Sequence, residues 1–219
     1  MGRKSYYSNT SAYDESIRSL RTNIKFSEVD RKLQSLVVTS SNPSEGKSTI
    51  TVELARSFAL MGERVLVIDC DLRNPTVGKL IDCNNSQGIT NLLTGSLTLD
   101  QVLLKDSKLK NLHYLLSGPI PPNPSELLGS RSMQNLLDSL KGNYDLILID
   151  TAPSNVVSDT SILATKVDGI VFVVNHGQTK KAELSSALRS IEQVGGNVIG
   201  VVLNKVPMKS KQYGYGRYY

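Results

Sequence analysis

The sequence is poor in the residues that build disulfide frameworks and zinc sites. Its 219 residues include no tryptophan, two cysteines and two histidines. Cys70 and Cys83 lack Cys-x-x-Cys spacing, and His113 and His176 are isolated, so neither kind of site is indicated. No apolar run approaches the roughly 18 to 20 residues that cross a bilayer, and the amino terminus lacks the apolar core of a secretion signal. We therefore expect a cytoplasmic protein.

Charge of one sign is only slightly in excess. Lys and Arg total 25 against 20 Asp and Glu, a net charge of +5. This mild balance is compatible with anionic ligands, with a membrane surface or with no specific role, and it does not by itself indicate nucleic acid. Apolar residues are spread evenly, which predicts one domain over residues 1–204. Residues 205–219 are basic, glycine-punctuated and poor in aliphatic side chains, so we expect a flexible tail.

The most informative stretch is residues 35–49, SLVVTSSNPSEGKST. An apolar strand leads into a small-residue loop that matches G-x-x-x-x-G-K-[ST], except that Ser41 replaces the first glycine. The pattern supplies backbone N–H groups at a helix N-terminus, a lysine for the terminal phosphates and a hydroxyl for Mg²⁺. We predict a nucleotide-phosphate loop rather than a chance serine-rich turn. Its residues are Ser41, Asn42, Pro43, Ser44, Glu45, Gly46, Lys47, Ser48 and Thr49.

Continuous apolar runs of strand length recur after this loop. They alternate with helical patterns, which predicts a doubly wound, mainly parallel α/β sheet of the phosphate-loop NTPase class, covered on both faces. Ligands bind such sheets at the carboxyl ends of the strands. The predicted strands beyond the first are residues 64–69, 112–116, 145–149, 169–174 and 198–203.

Three aspartates end two of these strands. Asp69 and Asp71 lie two residues apart, so in an extended segment both face one side, and Arg73 follows them. Asp150 ends another strand. Carboxylates beside a triphosphate repel it unless a metal intervenes, which predicts Mg²⁺ here. An aspartate at a strand end is otherwise often a helix cap or a turn former.

Apolar residues at spacings of three and four predict an amphipathic helix over residues 13–28. Its charges Glu15, Arg18 and Arg21 form a slanted stripe away from the apolar face. We expect all three to point outward, where they are free to meet another molecule. The alternative is an intrahelical Glu15–Arg18 pair worth about 0.2 to 0.5 kcal/mol.

In order and spacing, these features resemble the bacterial tyrosine kinases that control capsular and extracellular polysaccharide synthesis. The resemblance covers nearly the whole chain: the E-x-x-R-x-x-R stripe, the phosphate loop, the acidic motif at 69–73, the proline loop SGPIPPNPSELL, the Asp150 motif and the tyrosine-rich end. Two residues depart from the family pattern. Ser44 stands where glycine is usual, and Ala152 stands where proline is usual.

The resemblance implies roles for the site residues. Lys47 is expected to hold the β and γ phosphates of ATP, and Ser48 to ligate Mg²⁺. Asp69 and Asp150 are expected to hold the metal mainly through water. Asp71 is expected to take the proton of the acceptor tyrosine. The expected acceptors in the tail are Tyr213, Tyr215, Tyr218 and Tyr219.

The resemblance also implies partners. Glu15, Arg18 and Arg21 are expected to join subunits into a ring, with each tail entering a neighbour's site. A membrane protein related to chain-length regulators is expected to activate the kinase and recruit it to the inner face of the plasma membrane. A cognate phosphotyrosine phosphatase and other protein substrates are also implied. Asn204 is either an adenine contact or a turn residue.

Two alternative functions remain open at the level of sequence. A partitioning or division-site ATPase of the same fold would carry a second lysine five residues before Lys47, where this chain has Asn42. A basic, aromatic tail could instead bind nucleic acid or a membrane surface. That hypothesis leaves Asp69 and Asp71 unexplained, and we expect no nucleic-acid partner.

Overall fold

A computed structural model describes residues 10–27 and 32–207 of the protein. Strands and helices alternate along this part of the chain. The strands are β1 (Ser35–Ser40), β2 (Val65–Asp69), β3 (Leu103–Lys105), β4 (Leu112–Leu115), β5 (Leu146–Asp150), β6 (Gly169–Asn175) and β7 (Val198–Asn204). The helices are α1 (Thr10–Phe26), α2 (Lys47–Ala59), α3 (Val77–Leu80), α4 (Ile89–Leu93), α5 (Leu99–Val102), α6 (Pro124–Gly129), α7 (Arg131–Lys141), α8 (Asp159–Ala164) and α9 (Lys181–Gln193).

The strands form one sheet in the order β3-β4-β2-β5-β1-β6-β7. All neighbouring pairs are parallel except β3 with β4. The predicted fold class is therefore confirmed, and each predicted strand lies within two residues of its observed bounds. The short β3 was not predicted, because two half-buried leucines followed by an exposed lysine form no apolar run.

The core lies on both faces of the sheet. Leu36 and Val38 of β1 pack on the side of α1 and α2, while Val37 packs on the side of α7, α8 and α9. The strands β1, β2, β5 and β6 are buried along their whole length. The prediction that every apolar strand is covered is wrong for β7, whose residues are half-buried or exposed because it forms an edge of the sheet.

The helix α1 packs alongside α2, and this corrects the prediction for Arg21. Its guanidinium donates to the carbonyl oxygen of Ser57 at 2.9 Å and to Ser57 Oγ at 3.0 Å, so Arg21 is half-buried rather than free. Glu15 and Arg18 are exposed as predicted, and they form the intrahelical pair at 3.5 Å. The stripe therefore presents two of its three charges to solvent.

Within residues 10–27 and 32–207, no helix combines the length and the apolar character required to cross a bilayer.

Candidate active site

The predicted phosphate loop connects β1 to α2 at the carboxyl edge of the sheet. Two of its residues have left-handed backbone: Ser44 at φ 62° and Gly46, the residue before α2, at φ 96°. Such a backbone suits glycine and strains a serine. The first N–H groups of α2 have no partner inside the helix, so they open toward the loop, as binding of an anion requires.

The end of β7 lies against this loop. Asn204 Nδ2 donates to the carbonyl oxygen of Glu45 at 2.9 Å, and Lys205 Nζ donates to that of Ser44 at 2.7 Å. A Cβ at Gly46 would lie 2.2 Å from Asn204 Nδ2, so a side chain there would displace the amide. Asn204 Oδ1 accepts from the Lys205 N–H at 2.8 Å. The amide nitrogen of Asn204 therefore binds the phosphate loop, and its amide oxygen binds the backbone of the residue that follows β7.

Lys47 is the centre of a buried polar cluster. Its Nζ lies 2.9 Å from Asp71 Oδ2, 3.4 Å from Asp150 Oδ2 and 3.2 Å from Ser48 Oγ. Ser48 Oγ donates to Asp150 Oδ2 at 2.6 Å and accepts from Thr76 Oγ1 at 2.7 Å. The structure therefore brings together the predicted lysine, the hydroxyl and two of the three predicted acids.

The third acid, Asp69, lies opposite Asp150 in the register of β2 and β5. Its Oδ1 accepts from the Asp71 N–H and its Oδ2 from the Val77 N–H, each at 3.1 Å. Asp71 Oδ1 accepts from the Asn74 N–H at 3.0 Å. Asp69 therefore shapes the loop that carries Asp71, a role that the spacing of the two acids did not suggest.

Burial and crowding perturb the charges of this cluster. Burial, together with the charge of Asp150, raises the pKa of Asp69. Burial also raises the pKa of Asp150, although Lys47 and Ser48 oppose it. For Lys47, burial alone would lower the pKa, but Asp150 and Asp71 outweigh it and raise the pKa. The cluster is thus an acid-rich pocket in which additional positive charge is favourable.

The residues present fit a magnesium ion. Asp150 Oδ1 is buried and has no hydrogen-bond partner among the described residues, and Ser48 Oγ lies beside the same carboxylate. Mg²⁺ binds through one or two protein oxygens plus substrate phosphates and water. Ser48 and Asp150 can supply such a pair, and Asp69 lies opposite Asp150 on the neighbouring strand. Ser41 Oγ, at the start of the phosphate loop, is also buried and has no hydrogen-bond partner within the described part of the chain.

Three further contacts support the site and escaped the sequence analysis. Arg73 forms an ion pair with buried Asp159 at 2.9 Å, and its guanidinium also donates to Ser125 Oγ at 3.0 Å. This links the acidic loop to the helix that follows the proline loop. Thr179 donates to the side chain of Glu45. These partners lie 52 to 134 residues apart along the chain, so no local pattern reveals them.

The remaining predicted residues lie elsewhere. The Asn42 side chain donates to Glu183 Oε2 at 2.8 Å, which places it at the side of the loop facing α9. Glu15 and Arg18 lie on α1, away from the cluster. The predicted acceptor tyrosines, Tyr213, Tyr215, Tyr218 and Tyr219, lie outside the described residues.

Comparison with known proteins gives consistent matches over most of the chain. A family model described as an AAA domain matches residues 33–199. The chain is 40% identical over 202 residues to the tyrosine-protein kinase YwqD of Bacillus subtilis, covering 92% of this chain and 85% of that protein. It is 36% identical over 206 residues to the putative tyrosine-protein kinase CapB of Staphylococcus aureus, covering 94% of this chain and 90% of that protein.

A solved structure agrees with these matches. The crystal structure of the chimerical protein CapA2B2 superposes with a TM-score of 0.87 at 38% sequence identity, covering 93% of this chain and 89% of that chain. Both the sequence and the backbone of this chain are therefore similar to the same group of proteins.

Proposed function

The chain belongs to the bacterial tyrosine-protein kinases, and from this premise we propose that it transfers the γ-phosphoryl group of ATP to tyrosines of its own C-terminal segment. The acceptor segment reaches the site from a neighbouring subunit. The observation that carries the proposal is the position of Lys47 between Asp71 and Asp150, at the edge of the sheet where ligands of this fold class bind.

Lys47 acts as the switch between the free and the nucleotide-bound site. In the structure it neutralises Asp71 and Asp150. When ATP binds, the triphosphate competes for the ammonium group, and Lys47 moves to the β and γ phosphates. This movement frees Asp71 Oδ2 to face the acceptor.

Ser48 and Asp150 would hold magnesium, which would neutralise charge on the transferring phosphoryl group. The acids then lie beside a cation instead of beside a bare triphosphate, which removes their repulsion. Asp69 contributes by holding the loop of Asp71 through the Asp71 and Val77 N–H groups.

Asp71 orients the acceptor phenol and takes its proton late. An ordinary tyrosine pKa of about 10 and an ordinary aspartate pKa of about 4 differ by roughly six units, or about 8 kcal/mol for complete proton transfer. Formation of tyrosinate before attack is therefore too costly. A loose, metaphosphate-like transition state has little bonding to the attacking oxygen, so the neutral phenol can attack. Late transfer of its proton to Asp71 is then sufficient.

The acceptors are Tyr213, Tyr215, Tyr218 and Tyr219. Tyr213 lies nine residues beyond Asn204, so an extended segment spans at most about 30 Å, enough to enter a neighbour's site. Subunits associate as a ring through Glu15 and Arg18. Arg21 supports this surface indirectly, because it fixes α1 on α2 through Ser57. Each added phosphate brings about −1.5 to −2 charges, which an acid-rich pocket repels, so phosphorylation opens the ring.

The cellular role is regulation of capsular or extracellular polysaccharide synthesis. A membrane activator related to chain-length regulators recruits the kinase to the inner face of the plasma membrane. A phosphotyrosine phosphatase removes the phosphates from the tail. The support for these partners is the membership of the kinase family.

A phosphotyrosine assay tests the proposal. The full chain is incubated with ATP and Mg²⁺, with and without the cytosolic fragment of its activator, and is then blotted for phosphotyrosine. We expect Lys47→Met and Asp71→Asn to reduce labelling at least about 100-fold, because each removes a charge-bearing group at the reacting phosphate. Replacement of the four tail tyrosines by phenylalanine should abolish labelling. Tyr13→Phe, which removes an exposed tyrosine of α1, is the matched control.

The same samples separate the site assignment from the assembly. Size-exclusion chromatography should show a large species that becomes smaller as the tail is phosphorylated. Labelling that persists in Lys47→Met and Asp71→Asn would refute the site. A constant elution volume would refute the ring-opening step alone.

A further inference from the structure

A surface at the opposite edge of the sheet has no part in the proposed kinase reaction. Here the chain enters β2, β4 and β5, and an open cavity of about 370 Å³ lies between these strand starts. Its lining residues are Arg64, Lys110, Asn111, His113, Asn143 and Tyr144. His113 Nδ1 lies 2.8 Å from the Tyr144 hydroxyl, which gives the cavity an aromatic wall.

Large apolar side chains stand exposed beside this cavity. Asn111 Nδ2 donates to the carbonyl oxygens of Ala59 and Glu63 at 2.7 and 2.6 Å, which fixes the turn between α2 and β2 against the cavity. That turn carries Leu60 and Met61, which are 71% and 64% exposed.

The end of α1 extends the same surface. Lys25 forms an ion pair with Glu63 and lies over the ring of Phe58, so the last turn of α1 is adjacent to the last turn of α2. The next residue, Phe26, is 72% exposed. Phe26, Leu60 and Met61 are therefore exposed apolar residues at the adjacent ends of α1 and α2.

The charge around these residues is positive. The acids Glu63 and Asp145 are neutralised by Lys25 and Arg64. Asp106 accepts from two backbone N–H groups and the hydroxyl of Tyr114, and it adds one negative charge to this surface. Among the described residues, the lysines around the cavity and on the adjacent strand entrances make no ion pair, and they are Lys32, Lys105, Lys108 and Lys110.

From this combination we propose that the amino edge of the sheet docks on an anionic lipid bilayer. We call the surface formed by Phe26, Leu60, Met61, Lys108 and Lys110 the amino-edge surface. Exposed aromatic and aliphatic side chains enter the interfacial region of a bilayer, while lysines around them attract anionic headgroups. A soluble polyanion would use the lysines and leave the apolar side chains in water, so the two features together favour a lipid surface.

The proposal is independent of the acceptor assignment. The phosphate loop and the acids lie at the carboxyl edge, so a docked molecule presents its reacting site away from the lipid. The proposed contact adds direct lipid binding to recruitment by a partner.

Cosedimentation with vesicles tests the proposal. The full chain is mixed with vesicles of phosphatidylcholine alone, or of phosphatidylcholine with about one third phosphatidylglycerol. We expect binding to the second only, weakened by salt. Each lysine near an anionic surface contributes about fivefold, so Lys108→Gln with Lys110→Gln should weaken binding by about 25-fold. Leu60→Ser with Met61→Ser should weaken it as strongly, and phosphotyrosine labelling should not change.

A matched control removes the same charge at the other end of the molecule. Lys79→Gln with Lys181→Gln alters two exposed lysines near the carboxyl edge and should leave binding unchanged. Equal loss in this control, or no binding to the anionic vesicles, would overturn the proposal. Binding that is unaffected by the Leu60 and Met61 changes, with equal affinity for duplex DNA, would identify a soluble polyanion site instead. A change of oligomer size in the variants without vesicles would identify a contact between copies.

Discussion

At the scale of single residues, Ser44 carries backbone strain within the phosphate loop. Its φ of 62° lies in the left-handed region, where a Cβ approaches the following carbonyl oxygen at a cost of roughly 1 to 2 kcal/mol. Serine stands here where the family usually has glycine. Whether the position needs a positive φ could not be read from one sequence, because serine is acceptable in most turn conformations.

We predict that Ser44→Gly is more stable than Ser44→Ala by about 1 kcal/mol. Both changes delete the same hydroxyl, so the difference in stability between the two variants reports the backbone strain alone. Urea denaturation without nucleotide measures it. The matched pair is Ser186→Gly and Ser186→Ala, at an exposed position inside α9, where glycine should be the less stable by about 1 kcal/mol. The same order at both positions would contradict the assignment of strain to Ser44.

Lys47, Ser48 and Asp150 show what residue patterns predict well. A motif in which each position has one chemical task predicts which side chains lie close together. In the structure, these three residues lie within hydrogen-bond distance of one another. The partners of Asp69 were not predictable in this way. Its bond to the Val77 N–H depends on how the loop after β2 folds back, which apolar periodicity does not describe.

At the scale of elements, the end of β7 acts as a support for the phosphate loop. Asn204 and Lys205 bind the carbonyl oxygens of Glu45 and Ser44, the two residues before Gly46. These contacts hold a strained backbone in the form that receives phosphates. Such a role differs from the adenine contact predicted for Asn204, which stays a prediction.

We predict that Lys205→Met weakens ATP binding about fivefold, because the loss of one exposed hydrogen bond to a carbonyl costs about 1 kcal/mol. Lys205→Arg should restore most of the affinity, and Lys32→Met at the other edge of the sheet should have no effect. Isothermal titration calorimetry measures the ATP affinity of all three variants. Unchanged affinity in Lys205→Met would exclude the supporting role.

Asn204→Ala separates the two roles of the asparagine in the same titration. Loss of the contact that supports the phosphate loop should weaken the binding of ATP and of GTP equally, since both carry the same triphosphate. A loss confined to ATP would favour the adenine contact.

Long, continuous apolar strands were the predictable elements, and their parallel pairing follows from alternation with helices. The order of the strands in the sheet was not predicted. The short antiparallel β3 was not predictable, because its pairing with β4 fixes it more than its own composition does. Helix α1 was predicted from its apolar face, but the direction of Arg21 was not. A long side chain on a helix can turn back to a neighbouring element, here the Ser57 carbonyl of α2, whatever the angle of its Cα.

At the scale of the whole molecule, Asp168 joins three parts of the domain. Its carboxylate accepts from the N–H groups of Gln34 and Ser35 at the start of β1 and from Lys141 at the end of α7. Burial alone would raise the pKa of Asp168, but the hydrogen bonds from Ser35 and the charge of Lys141 outweigh it and lower the pKa. The pKa of half-buried Asp145 is lowered too: hydrogen bonds from Arg64 lower it to about 2.

We predict that both carboxylates make the fold sensitive to acid. A lowered pKa in the folded state stabilises the protein above the unfolded aspartate pKa of about 4, and the contribution is lost as pH falls from about 4 toward 2. Asp168→Asn should lower the free energy of unfolding at pH 7 by about 1.5 to 3 kcal/mol, the cost of losing charged hydrogen bonds. Its difference from the unmodified chain should shrink as the pH falls below about 4.

Urea denaturation at several pH values measures this difference, and Asp100→Asn, on the exposed face of α5, is the control. A difference between Asp168→Asn and the unmodified chain that stays constant from pH 7 to pH 2 would contradict the linkage.

The ion pair of Lys47 with Asp71 also bears on the kinetics of the proposed reaction. A tyrosine that arrives before the nucleotide meets a carboxylate oxygen already bonded to the lysine at 2.9 Å. In the proposed mechanism the nucleotide therefore adds first and the acceptor second. ADP departure would then restore the pair at the end of each turnover, so that the proposed tail of a neighbouring subunit competes for the site only while a nucleotide occupies it.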